Sequence, residues 1–97
     1  MKTKNEILEI LKTMKPVLEG DYNVKSIGLF GSVVREKPSA DSDIDVLVEF
    51  RRPIGMFRFL ELEELLSERL GGKVDLVSKK ALKPEIGRAI LSEVLLT

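Results

Sequence analysis

Val24-Lys25-Ser26-Ile27-Gly28-Leu29-Phe30-Gly31-Ser32, ten residues, then Asp43-Ile44-Asp45-Val46-Leu47-Val48-Glu49-Phe50: the reading of this stretch decides the fold. Residues 24–30 are short, apolar and followed by Gly31, the pattern of a strand that ends abruptly. Ser32 is placed to cap a short helix running through Arg35. Residues 36–42, with Pro38 and Ser39 inside, read as a loop. Residues 44–50 read as a second strand. Side chains alternate across a strand, so Asp43 and Asp45 share one face while Ile44, Val46 and Val48 point into a core.

Working outward, helices fill the flanks. Residues 5–19 carry Ile7, Leu11, Met14 and Leu18 at helical spacing, and Gly20-Asp21 is the expected stop. Residues 51–55, with Pro53 and Gly55, turn the chain. Residues 56–70 carry Phe59, Leu62, Leu66 and Leu70 in a second helical stripe, closed by Gly71-Gly72. Residues 73–77 form a third short strand. Pro84 suits the first turn of a last helix with Ile86, Ile90 and Val94 on one face. The order is an α/β arrangement: a small sheet with helices packed against it, in one domain over residues 1–97.

Composition narrows the chemistry. Lys plus Arg and Asp plus Glu are 16 each, so the formal net charge is zero. A direct nucleic-acid binder would need a basic surplus. There is no Cys and no His, which removes disulfides, thiolate chemistry and the usual zinc ligand and general base. A metal here must be held by oxygen, which favours Mg²⁺, Mn²⁺ or Ca²⁺. Residues 1–10 are charged, without the apolar stretch of a signal peptide, and no run is long enough to span a bilayer; a cytoplasmic, non-membrane protein is expected.

Two carboxylates on one face at the start of a strand repel each other, and without a cation one of them has its pKa raised. A divalent ion removes the conflict, so Asp43 and Asp45 form a candidate metal pair. At the Gly31-Ser32 hand-over from strand to helix, Gly31 permits close approach to the backbone and the following N–H groups favour an anion. With the Ser32 hydroxyl and the Arg35 cation this makes a candidate triphosphate cradle. Asp75 is the lone acid in Lys73-Val74-Asp75-Leu76-Val77. If that strand lies beside residues 44–50, Asp75 joins the acidic face, shares a second metal and helps deprotonate an attacking hydroxyl.

Each element also has a plainer reading. Asp-x-Asp alone can be solvated surface, Gly-Ser a helix cap, Arg35 a surface ion-pair partner, and Asp75 an edge-strand charge that blocks aggregation. Two other motifs fail outright. The alternation of Asp41, Asp43 and Asp45 suggests an EF-hand, but the sixth and twelfth positions hold Val46 and Arg52 instead of Gly and Glu. No Gly-Lys-Ser/Thr of a P-loop occurs.

Taken jointly, Leu29-Phe30-Gly31-Ser32 with Arg35, Ser42-Asp43-Ile44-Asp45-Val46, Pro53-Ile54-Gly55, Lys73-Val74-Asp75-Leu76-Val77 and Ala81-Leu82-Lys83-Pro84 resemble the minimal nucleotidyltransferases (MNT) of the polymerase-β-like superfamily. The resemblance covers nearly the whole chain. It implies a mixed sheet with packed helices, Mg²⁺ (two ions) on Asp43, Asp45 and Asp75 as catalytic and metal residues, and ATP held by Gly31 and Ser32. It further implies an antitoxin that transfers AMP from ATP to a tyrosine of a partner HEPN-domain toxin, in a homo- or hetero-oligomer. The chain departs from the family's usual Ala-Arg-Gly after the Gly-Ser pair, with Val34 before Arg35 and Glu36 after it. The competing function is a non-catalytic antitoxin that masks its partner by contact, for which Leu95 and Leu96 in segment 91–96 offer an apolar surface. Transfer to a small molecule is a third reading, disfavoured because no second binding lobe is visible.

Overall fold

The computed structural model describes residues 2–35 and 43–97. The expected loop at 36–42, and with it the orientation of Glu36, lies outside them. The first helix, α1 (Lys4–Tyr22), opens on a reciprocal cap. The Glu6 N–H donates to Thr3 Oγ1 at 3.2 Å and the Thr3 N–H donates to Glu6 Oε1 at 3.0 Å. It does not stop at Gly20-Asp21 as expected. The helix runs on to Tyr22 and ends at Asn23, which takes the left-handed conformation with φ 55°. Packing explains the extension: Tyr22 is buried, and its hydroxyl donates to Glu61 at 2.8 Å. Continuing the helix by one turn brings that ring into the core, and this outweighs the weak propensity of Gly-Asp.

Strand β1 (Val24–Phe30) and strand β2 (Ile44–Phe50) pair antiparallel, with the expected bounds. Val24 lies opposite Phe50 and Ser26 opposite Glu49, so β1 spends two residues where β2 spends one. This bulge shifts the alternation and lets both Val24 and Ile27 face the core, three positions apart. Helix α2 (Gly55–Leu70) begins one residue earlier than its apolar stripe predicts and ends at Gly71. Strand β3 (Val74–Ser78) pairs parallel with β2, so β2–α2–β3 is a βαβ unit. Helix α3 (Pro84–Glu93) starts on Pro84 as expected.

A fourth strand was not expected. β4 (Leu95–Leu96) pairs antiparallel with Gly28 and Leu29, giving the sheet order β3-β2-β1-β4. Two residues are too short to show a period in sequence, and the pairing depends on Gly28. A Cβ at Gly28 would overlap the Leu95 carbonyl oxygen, so only a glycine there lets β4 dock. The sheet is thus mixed, as the family resemblance implies.

Ile7, Leu11, Met14 and Leu18 of α1 and Leu62, Leu66 and Leu70 of α2 pack on one sheet face. They meet Val24, Ile27 and Leu29 of β1, Ile44, Val46 and Val48 of β2, and Val74 and Leu76 of β3. The helical stripes expected to form the core do so in α1 and α2, except that Phe59 is only partly buried. In α3 they do not. Ile86 is exposed, Ile90 is half-buried, Val94 caps the helix, and the buried position is Gly87. Periodicity shows that a helix has an apolar side, but not that a neighbour covers it. Among the described residues no helix is long and apolar enough to cross a membrane.

Candidate active site

Burial of Ile44, Val46 and Val48 on the helix-covered face turns Asp45 to the opposite one, with Asp43 one step before the strand. Val74 and Leu76 are buried in the same way and turn Asp75 to that face as well. In the parallel register Asp45 sits opposite Asp75. Neighbouring strands run about 4.8 Å apart, so the two carboxylates project side by side. The condition attached to Asp75, that its strand adjoin β2, is met. β3 is indeed an edge strand, but Asp75 projects from its face beside Asp45.

The turn after β1 lies against this group. Phe30 is opposite Asp45, and Gly31 follows with φ 76°. A Cβ at Gly31 would overlap Asp45 Oδ2. The glycine is therefore required twice, by its backbone conformation and by the carboxylate that fills the space of its missing side chain.

Asp45 has no hydrogen bond or ion pair among the described residues, and its pKa is raised. Desolvation is the main cause, followed by the charges of Asp75 and Asp43; Arg35 opposes them weakly. The Asp43–Asp45 repulsion expected from the sequence is present, but burial and the charge of Asp75 both outrank it. The donors are all hard oxygens, suited to Mg²⁺. Among the described residues, however, no group of three or more such side chains is arranged to hold a metal ion. An ion held at the adjacent Asp45 and Asp75 would have to complete its shell with water and phosphate oxygens, the usual habit of Mg²⁺.

A sign follows for stability. A carboxylate whose folded-state pKa lies above its unfolded value binds its proton more tightly when folded. Folded-state stability therefore falls as pH rises from the ordinary Asp pKa through the raised one, and stays lowered at neutral pH. Asp45→Asn removes that penalty. Its melting temperature, measured without divalent ions, should exceed the parent's at pH 7, with the gain vanishing at pH 3. A lower melting temperature at pH 7 would show that the Asp45 charge is compensated in the metal-free fold.

The Gly31-Ser32-Arg35 element departs from expectation in detail. Gly31–Val33 form a 3₁₀ turn capped by Phe30, with no side-chain cap bond, so Ser32 lies inside the turn instead of capping it. Its hydroxyl has no partner among the described residues. The Gly31 N–H and the Arg35 guanidinium are both engaged by a residue the sequence did not single out. The Gly31 N–H donates to Glu93 Oε1 at 3.1 Å, and Arg35 Nη1 lies 3.0 Å from Glu93 Oε2. Arg35 is thus an ion-pair partner, one of the plainer readings. Glu93 stands 62 residues from Gly31, and nothing in its local sequence marks it.

A cleft of about 540 Å³ lies at the other end of the sheet. Phe50, Pro53, Ile54, Met56 and Phe59 line it, with Arg51, Arg52, Lys79 and Lys80 at its edge. The acids sit at the start of β2 and β3, so this cleft is separate from them. Met56, Phe57 and Leu60 are exposed next to it. At the C-terminus, where an apolar surface was expected, Leu95 is half-buried in the sheet and Leu96 remains exposed.

The profile of the nucleotidyltransferase domain family matches residues 4–97. The chain belongs to that family. Among curated nucleotidyltransferase relatives, a Thermococcus cleftensis protein named protein adenylyltransferase MntA is 45% identical over 94 residues, covering 97% of this chain and 95% of the relative. A Methanocaldococcus jannaschii protein, named as a candidate protein adenylyltransferase, is 43% identical over 96 residues and 98% of each chain. The fold resembles the solved structure of a candidate minimal nucleotidyltransferase, with a TM-score of 0.74 and 31% identity over 91% of this chain and 93% of that one. It also resembles a chain in the complex of a tri-AMPylated Shewanella oneidensis HEPN toxin with MNT antitoxin. The TM-score there is 0.62 with 22% identity, covering 96% and 66% of the two chains, a likeness of fold alone. The mixed sheet and its packed helices are those of this nucleotidyltransferase family.

Proposed function

We propose that this nucleotidyltransferase is an Mg²⁺-dependent protein adenylyltransferase that moves AMP from ATP to a tyrosine hydroxyl of a HEPN-domain partner and so acts as its antitoxin. The observation that carries the proposal is the register of Asp45 against Asp75, with the charge of Asp43, one residue before β2, acting on Asp45 and Gly31 packed against it. Three carboxylates without His or Cys suit phosphoryl chemistry supported by a hard cation. The names of the relatives, matched over nearly the full length of both chains, favour protein as acceptor and ATP as donor.

The acceptor hydroxyl attacks the α-phosphorus, a new P–O bond forms, and the bond to the bridging oxygen breaks to release pyrophosphate. Asp43 and Asp45 would hold the cation, which when bound would supply charge neutralisation for the phosphates and the leaving group. Asp75 takes the proton of the attacking hydroxyl. Ser32 donates its hydroxyl to the triphosphate.

Contact masking without transfer is the second reading, favoured by the exposed Met56, Phe57 and Leu60, an apolar surface of the kind partner-binding proteins carry. Asp43→Asn separates the two. On the enzymatic reading it still associates with the HEPN-domain partner but incorporates labelled AMP at background level and fails to neutralise it. Full neutralisation by Asp43→Asn would assign the protection to contact.

A further inference from the structure

We propose that Glu93 is a positioning residue for the triphosphate turn, and that Arg35 acts on the nucleotide through Glu93 instead of touching phosphate itself. The inference rests on the reading that the Gly31-Ser32 turn holds the triphosphate.

The geometry ties both ends of one turn to one carboxylate. Glu93 Oε1 accepts from the Gly31 N–H at 3.1 Å and from Arg35 Nη1 at 3.2 Å, while Oε2 accepts from Arg35 Nη1 at 3.0 Å. From inside the turn, the Val34 and Arg35 N–H groups donate to the Gly31 carbonyl at 3.1 and 3.2 Å. Gly31 is thus held on both of its polar groups in the positive-φ conformation that lets Asp45 pack against it. Glu93 is the last residue of α3, and β4 begins two residues later against Gly28 and Leu29. The C-terminal segment therefore clamps the end of β1 twice, once through the sheet and once through this carboxylate.

Charge gives Arg35 its part. A free carboxylate at the mouth of a triphosphate site would repel the ligand, and Glu93 already adds to the negative field at Asp45. Arg35 cancels that charge while Glu93 keeps its hold on Gly31. Arg35 is 58% accessible and Glu93 half-buried, so the pair is reached by solvent and contributes little to fold stability. Its consequence is for the ligand.

The two ways Arg35 could act predict opposite double-mutant behaviour. The probe is Mg²⁺ with a non-hydrolysable ATP analogue, measured by calorimetry, with melting curves to establish that each variant is folded. Arg35→Ala exposes the Glu93 charge and should weaken binding at least ~tenfold, the scale of an uncompensated like charge beside the phosphates. Glu93→Gln keeps an acceptor for the Gly31 N–H and removes the charge, so it should bind within about threefold of the parent. The double variant Arg35→Ala/Glu93→Gln should likewise return to within about threefold, because no charge is left to cancel. Glu93→Ala, which also loses the tether on Gly31, should bind at least ~fivefold more weakly than Glu93→Gln.

A double variant as weak as Arg35→Ala would overturn the inference and make Arg35 a direct phosphate ligand. Equal affinity of Glu93→Ala and Glu93→Gln would remove the positioning role. Ser32→Ala tests the underlying reading separately. If it and Arg35→Ala both bind like the parent, the turn is not the triphosphate site, and the inference falls with it.

Discussion

On the proposed function, Asp75→Asn is expected to transfer AMP at least ~100-fold more slowly than the parent while still binding Mg²⁺-ATP, the usual scale for loss of a general base. The chain contains no histidine, so a carboxylate is the natural proton acceptor. A tyrosine hydroxyl has a pKa near ~10 and needs a base or a metal to become a good nucleophile at neutral pH. Asp75 stands opposite Asp45 in register but on the outer strand of the sheet, and it is solvent-exposed. It is therefore open to an acceptor arriving from a partner, whereas Asp45 is half-buried against Gly31. Asparagine keeps the shape and removes the charge. The measurement pairs incorporation of labelled AMP into the HEPN-domain partner with calorimetry on the non-hydrolysable analogue. Near-normal labelling would return Asp75 to the role of an edge-strand charge and leave the chemistry to Asp43 and Asp45.

Gly31→Ala should produce the other large loss, affecting binding and transfer together. The backbone sits at φ 76°, where a side chain costs about 1–2 kcal/mol. The added methyl would also overlap Asp45 Oδ2, so the turn or the carboxylate must move. Misplacement by about 1 Å in an active site can cost ~100-fold in rate, and a loss of at least that size in AMP transfer is expected. Nucleotide affinity falls in parallel, because the same shift distorts the turn that carries Ser32. Gly20→Ala serves as the control. Gly20 lies in α1 with open space around it, so alanine there should raise the melting temperature and leave activity unchanged. If Gly31→Ala transferred AMP at the parent's rate, the close fit between the turn and Asp45 would have no catalytic consequence.

The sequence by itself determined the strands that carry the site, the stripes of α1 and α2, and the face on which Asp45 lies. All of these follow from local periodicity, which fixes where a side chain points once the element is known. Absence of His and Cys likewise restricted any metal to oxygen donors before any fold was known. Only the tertiary structure decided what depends on elements distant in sequence. The parallel register that sets Asp75 beside Asp45 required β3 to return along β2, and α1 ran past Gly20-Asp21 because Tyr22 found Glu61 39 residues away. The unexpected strand β4 and the uncovered stripe of α3 depend on which surfaces meet, and local pattern carries no such information. Glu93 is the clearest case. A glutamate at the end of a helix looks like any solvated acid, and its hold on Gly31 and Arg35 exists only because the chain folds its last helix back onto the end of its first strand.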